Sequence, residues 1–298
     1  MTETEDTTNW IDTLFYTEEG EISYWGPFAV MIALQVLCFL FCQIVKDNSH
    51  IDSIWSWCFM LPNLGTILVL MQNGTTLDMR TVIANACLWL WGLRLSVHIG
   101  CRHTGEDYRY VSMRKRMSTR GQCCYYIYAF LYIFMMQGLL SFAVNAPILY
   151  LTAKSSSLQG DSQAYPLIWS DYTGIAIFVI GLFFEWVGDE QLKAHIKDDN
   201  PNKGKFCKRG LWRYTRHPNY FGDALLWWGF YFMALALPGG YWTFFGPLIM
   251  TLLLRFVSGV TLLEKKQSKH EEWPQYAAET NAFIPWCPKD VGDDYAKV

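Results

Sequence analysis

The sequence predicts an all-α integral membrane protein with about seven transmembrane helices in one bundle. Three observations carry that prediction. Hydrophobic residues make up 52% of the chain and charged residues only 17%, whereas soluble domains carry about a quarter of their residues as charges. Apolar stretches close to the ~20 residues a bilayer requires recur along the chain. Basic residues gather on alternate connections between those stretches, as expected of loops that face the cytoplasm or its equivalent.

Residues 1–23 hold seven acids and neither Lys nor Arg. They read as a polar N-terminal surface arm with a short amphipathic piece around Trp10–Phe15. They look like neither a secretory signal nor a transit peptide, and the last residues, Tyr295-Ala-Lys-Val, match no retrieval or prenylation signal. The seven-helix domain then occupies 24–298. Its first span is Tyr24–Val45 and its second Ile51–Met71, where Pro62 predicts a kink. The third, Thr81–Gly100, carries Arg94, and a basic loop, 101–122, follows. The fourth span, Cys123–Leu151, contains Gln137, Asn145 and Pro147. A Ser-rich loop, 152–165, precedes the fifth span, Leu167–Gly188, which runs into Asp189 and a second basic stretch, 191–218. The sixth span is Tyr220–Leu237, the turn Pro238-Gly-Gly follows, and the seventh is Tyr241–Leu263, before a polar tail. With seven spans, 20 of the 24 Lys and Arg fall on one side and two, Arg80 and Lys154, on the other.

Several functional classes find no support. There is no Gly-x-Gly-x-x-Gly turn, Walker lysine motif, His-Glu-x-x-His or Gly-x-Ser-x-Gly, and no nucleic-acid partner is expected. The nine Cys include no Cys-x-x-Cys, and Cys38, Cys42, Cys58 and Cys87 lie in apolar runs, where cysteine acts as a small hydrophobe. His50, His103, His195 and His270 show no ligand spacing along the chain, so no metal site is expected.

One stretch is costly without a polar function. Residues 210–223 read Gly-Leu-Trp-Arg-Tyr-Thr-Arg-His-Pro-Asn-Tyr-Phe-Gly-Asp and open directly into the sixth span. Arg213 and Arg216 supply fixed charge for phosphate oxygens and Asn219 an amide. Gly210 and Gly222 permit close backbone approach, and Pro218 can begin a helix whose N-terminal amides favour an anion. Basic residues alone could simply mark the cytoplasmic end of a span; His217, Tyr220 and Asp223 are not needed for that. Glu185 and Asp189 are four apart and share a helix face. A ladder from Asp189 to Lys193 would explain the second acid but not the first, which lies inside the span. Arg94, His98 and Arg102 form a polar stripe at the end of the third span. Arg94 and Gln137 are candidates to face a substrate, and His98 or Tyr110 to donate a proton. Asn145 is expected to cross-link helices. Glu264 and Tyr276 could complete a nucleotide pocket.

Together these residues resemble the steroid 5-alpha reductase superfamily, most closely its branch of unknown function. The resemblance rests on the 210–223 motif joined to Glu185-x-x-x-Asp189-x-Gln191-Leu192. It extends through Asp52-x-x-Trp55, Trp91-x-x-Arg94-Leu95, Glu106-Asp107-x-Arg109-Tyr110, Gln137-Gly138, Ser258-Gly259, Leu262-Leu263-Glu264 and Phe283-x-Pro285. It implies a seven-helix fold that binds NADPH on the cytoplasmic side, in a half spanning about 166–298, and reduces a carbon–carbon double bond conjugated to a carbonyl of a steroid-like or other lipid. The positions it implies for the cofactor are Glu185, Asp189, Tyr214, Asn219, Gly222 and Asp223. The sequence departs from the pattern in three ways. No counterpart of the glutamate–tyrosine pair that activates the carbonyl is evident, Glu185 replaces an amide, and Glu264-Lys265-Lys266 replaces a histidine-rich segment. The endoplasmic reticulum is the implied location, with the mitochondrial inner membrane as the alternative. A methyltransferase using S-adenosylmethionine shares a similar Arg-His-Pro-x-Tyr stretch, and an accessory subunit of a larger membrane complex could keep the fold without catalysis.

Overall fold

The computed structural model describes residues 10–155, 166–199 and 204–291; the N-terminal acids before Trp10, most of the Ser-rich loop and Lys203 lie outside them. Among the described residues there is no strand, only the isolated bridges Tyr16–Ile22 and Thr215–Asn281. Six helices among the described residues are long and apolar enough to cross a membrane: Trp25–Val45, His50–Gln72, Met79–Gly100, Gln122–Val144, Trp169–Lys197 and Gly240–Gln267. The remaining expected span, Tyr220–Leu237, is present as the 17-residue helix Pro218–Ala234. At 1.5 Å per residue that helix is about 25 Å long, and it begins on its proline as predicted. The chain is a multi-helix membrane protein.

The expected fourth span ends early, at Val144. Asn145 breaks it, and a separate helix, Ala146–Lys154, starts with Pro147 in its first turn, where a missing N–H does no harm. The second span is interrupted at Trp55–Ser56 rather than at Pro62, which lies within the helix Trp57–Gln72. The amphipathic helix Trp10–Phe15 forms, and Phe15 and Ile22, at the end of the expected surface arm, are buried.

The chain divides into two compact units. The first is Met1–Ile168 with Ala234–Thr243, the second Trp169–Met233 with Phe244–Val298. In the first unit, aromatic and aliphatic side chains such as Phe59, Met60, Leu88 and Trp91 are fully buried. A chain of amides runs among them: Asn63 donates to the Asn145 carbonyl oxygen at 3.1 Å, and Asn145 donates to the Phe59 main-chain carbonyl at 3.1 Å. Away from water, such bonds are what satisfies a polar side chain and ties helices together, so Asn145 is the cross-link its position predicted.

In the second unit, backbone touches backbone. The long helix carries Gly174, Gly181 and Gly188 seven residues apart, against the helix Pro218–Ala234. A Cβ on Gly181 would lie 2.5 Å from the Leu226 nitrogen, one on Gly222 2.4 Å from the Glu185 nitrogen, and one on Gly229 2.7 Å from the Gly174 carbonyl oxygen. Small residues permit this approach, and the resulting van der Waals contact holds the helices together where lipid removes the hydrophobic drive. The consequence for function is positional: Glu185 and Asp189 are brought against Asn219, Gly222 and Asp223.

Candidate functional site

The second unit is built around the 210–223 stretch. Gly210 opens it with a φ of +57°, and a Cβ there would meet the Gln191 side chain at 2.3 Å. Glycine is therefore required both for the left-handed backbone and for space. Gln191 accepts from the Leu211 N–H at 2.9 Å, and the Trp212 indole donates to the Gly188 carbonyl at 2.9 Å. These bonds pin the loop to the end of the long helix. Asn219 donates to Asp189 at 3.0 Å, while its amide oxygen is buried with no hydrogen-bond partner among the described residues. Glu185, Asp189 and Asp223 are all buried. Lys193 pairs with Glu190 at 3.4 Å, so the Asp189–Lys193 ladder does not form.

Arg216 faces inward. Its Nε donates to Glu264 Oε1 at 2.8 Å and its Nη2 forms an ion pair with the same oxygen at 2.8 Å, while its Nη1 donates to the carbonyls of Ala277 and Thr280. The same Glu264 oxygen lies 3.2 Å from His217 Nε2, and the Tyr220 ring stacks on His217 at 5.7 Å. Burial holds the His217 imidazole below its ordinary pKa, against the pull of Glu264. Arg216 and Glu264 thus clamp the loop to the last helix and tail. Tyr276 is buried, donates to the Cys207 carbonyl at 3.2 Å, and stacks on Phe206. Beside it is a cavity of about 330 Å³ walled by Lys205, Phe206, Trp212, Arg216, His270 and Tyr276 among others. Arg213 lines a different hollow with Lys208 and Lys289, and Tyr214 is exposed. The structure therefore gathers Glu185, Asp189, Asn219, Gly222 and Asp223 in one place and Arg216, His217, Tyr220 and Glu264 in another, and sets Arg213 and Tyr214 on the outside.

The first unit contains a second polar centre. The Tyr110 hydroxyl donates to Asp52 Oδ1 at 2.7 Å, and Arg109 reaches Asp52 Oδ2 at 2.9 Å. Gln137 Nε2 lies 3.5 Å from the Tyr110 oxygen. Burial, and then the neighbouring Asp52 carboxylate, push the Tyr110 phenol well above its ordinary pKa, so it stays a hydrogen-bond donor at any physiological pH. Asp107 caps the helix that carries Tyr110, accepting from the Arg109 N–H at 2.8 Å, and so sets the register in which Tyr110 points at Asp52. His98, the other expected proton donor, lies 3.1 Å from Arg102 Nη1 on the stripe it was predicted to share. Arg94 is half-buried in the same helix. Asp52 escaped selection as a site residue because it is 58 positions from Tyr110; its own motif, Asp52-x-x-Trp55, was the only trace it left.

Comparison with known proteins agrees over most of the chain. A family model described as "Protein of unknown function (DUF1295)" matches residues 38–280. The chain is 27% identical over 284 residues to the uncharacterized protein C594.04c of Schizosaccharomyces pombe, covering 85% of this chain and 78% of that one. No solved structure matches.

Proposed function

The chain belongs to the DUF1295 family, and we propose that it reduces a carbon–carbon double bond conjugated to a carbonyl in a steroid-like or other lipid, with NADPH as reductant. The observation that carries this reading is the carboxylate–tyrosine pair, Asp52 with Tyr110 at 2.7 Å. It is the kind of pair the sequence resemblance called for and left without a counterpart. A phenol kept protonated by its surroundings can turn its hydrogen bond from Asp52 to a ketone oxygen, where negative charge grows as the double bond is reduced. Arg109 and Gln137 then hold Asp52 and the phenol in place.

Groups in the second unit support the cofactor part of this reading. The cavity beside Tyr276 offers the cations of Lys205 and Lys266 with the aromatic faces of Phe206 and Trp212, a combination that suits a phosphate and a base. Asn219, with a buried amide oxygen still to satisfy, and the acids Glu185 and Asp189 suit ribose hydroxyls. The reduction would take a hydride from NADPH at the β carbon and a proton at the α carbon. The role of Arg216 and Glu264 is to hold the loop, and that of the glycine contacts is to present the acids. Membrane lipid surrounds the apolar spans, and we assign the protein to the endoplasmic reticulum by the same resemblance.

The test uses the full chain purified in detergent, with NADPH binding read by fluorescence and turnover by NADPH oxidation against a panel of enone sterols. Asn219→Ala with Asp223→Ala is expected to weaken NADPH binding. Tyr110→Phe is expected to leave binding intact and lower turnover by about 10²- to 10⁴-fold. NADPH affinity unchanged in the double variant would overturn the assignment of the cofactor wall. Binding of S-adenosylmethionine in place of NADPH would make the protein a methyltransferase, and binding of neither, with co-purifying subunits, would make it an accessory protein.

A further inference from the structure

The turn after the first span and the loop after the third meet outside both polar centres described above. Asp47 lies in that turn, just beyond Lys46, whose φ of 58° ends the first span. His50 opens the next helix. His103 comes from the loop that follows Met79–Gly100. His103 Nε2 is 2.9 Å from Asp47 Oδ2, and one donor atom from each of the three residues lies within 4.8 Å of the others. The two imidazole rings are 4.5 Å apart and tilted by 35°. Among the described residues His50 makes ring contacts with Phe41 and His103 but no hydrogen bond, and it sits beside the Asp47 carboxylate.

We propose that Asp47, His50 and His103 bind a divalent transition-metal ion, zinc foremost, which clips the 46–50 turn to the 101–107 loop. The donor set is right for it: two neutral imidazoles and one carboxylate leave at least one position for water, and nitrogen with oxygen donors suits zinc. The spacing is right as well. With bonds of about 2.0–2.1 Å, neighbouring donors in a tetrahedral site stand about 3.3 Å apart. The observed His103–Asp47 separation of 2.9 Å opens by a few tenths of an ångström, and the pairs with His50, within 4.8 Å, close by up to about 1.5 Å to reach that spacing.

The surroundings hold the ligands as an outer shell does. The other Asp47 oxygen, Oδ1, accepts from the Ser49 N–H at 2.8 Å, which aims Oδ2 at His103. Ser49 Oγ accepts from the Asp107 N–H at 2.6 Å, and Asn48 bonds to Glu106 through its main-chain N–H at 3.1 Å and to Tyr125 through its side chain at 2.8 Å. Arg114 is the nearby cation, and its charge is engaged by Glu106 at 2.5 Å. The site is half-buried, with side-chain exposures of 23% for His103 and 14% for Asp47, so an ion has a path in. This assignment stands apart from the reductase reading. It does bear on position, because His50 is two residues before Asp52 and the clipped loop leads into Arg109 and Tyr110.

The experiment takes the full chain without a polyhistidine tag, purified in detergent with no chelator. Elemental mass spectrometry is expected to find about one zinc per chain. After stripping with EDTA, added Zn²⁺ should raise the melting temperature, and Co²⁺ should give visible d–d absorption without a sulfur charge-transfer band. His50→Gln and Asp47→Asn should each weaken Zn²⁺ by about 100-fold or more, a larger effect than the 10- to 100-fold of losing an outer-shell partner. Because the wild-type response is read independently, a variant that fails to fold does not shield the proposal. No zinc in the purified protein together with no Zn²⁺-dependent rise in melting temperature overturns it. So does full retention of zinc by both variants, or a Co²⁺–thiolate band, which would place the ion on cysteine.

Discussion

Whether Arg216 is a clamp or a phosphate ligand can be decided by neutralising Glu264. The Arg216 side chain is 9% exposed; its Nε donates to one Glu264 oxygen at 2.8 Å and its Nη2 pairs with the same oxygen at 2.8 Å. Its other hydrogen bonds go to main-chain carbonyls. Glu264→Gln keeps an acceptor of nearly the same shape but removes its charge. A hydrogen bond to a charged group contributes about 1.5–3 kcal/mol and a neutral one about 0.5–1.5. The weakened Nε bond therefore loses about 1–1.5 kcal/mol, and leaving a buried cation without its counter-charge adds to that, up to the ~3–5 kcal/mol seen on breaking fully buried pairs. Glu264 is 21% exposed, which lowers the ceiling, so the expected loss is about 2–4 kcal/mol. Removing the cation too, as Arg216→Met with Glu264→Gln, should recover at least ~1 kcal/mol relative to the sum of the single changes. Unfolding by SDS in mixed micelles gives the free energies, and Trp273, whose ring centre is 5.3 Å from the Arg216 guanidinium carbon, reports locally by fluorescence. Additivity within ~0.5 kcal/mol, or NADPH binding that tightens when Glu264 is neutralised, would refute the clamp and return Arg216 to the ligand.

Two further outcomes follow from the second unit. Gly222→Ala puts a methyl 2.4 Å from main-chain atoms of Gly181 and Glu185, so the helices must part by about an ångström; overpacking of this kind costs about 1–3 kcal/mol. The change should also loosen the Asp189–Asn219 bond, and unchanged stability and NADPH affinity would show that the helices do not meet there. Burial depresses the His217 pKa in the folded chain, so as pH falls below the ordinary histidine value of about 6.5 the unfolded chain takes up a proton that the folded chain resists. The stability that depends on neutral His217 is complete above that value and declines below it, and His217→Gln should flatten that decline when unfolding is followed from pH 7.5 to 5.5.

The way these residues were found explains what a sequence can show of such a protein. The spans were legible because bilayer thickness imposes a length on each apolar run. The Arg94, His98 and Arg102 stripe and the Glu185–Asp189 face were legible because the helical repeat places residues four apart side by side. Asn145 was legible because an amide in lipid has few choices other than a neighbouring helix. Pairings between loops have no such rule. Asp52 with Tyr110, Arg216 with Glu264, and Asp47 with His103 are 58, 48 and 56 positions apart, and which loop tip meets which is decided by the packing of whole helices. The fourth span shows the limit from the other side: its composition stays apolar to Leu151, yet Pro147 and a helix-linking Asn145 end it at Val144. Burial of polar groups then sharpens the inference in the opposite direction, from fold back to sequence. Where a helix carries Glu185 and Asp189 nearly free of solvent contact, the cost of placing them there is high, and the close glycine contacts, Gly181 and Gly222 among them, hold Glu185 against Gly222 and Asp189 against Asn219.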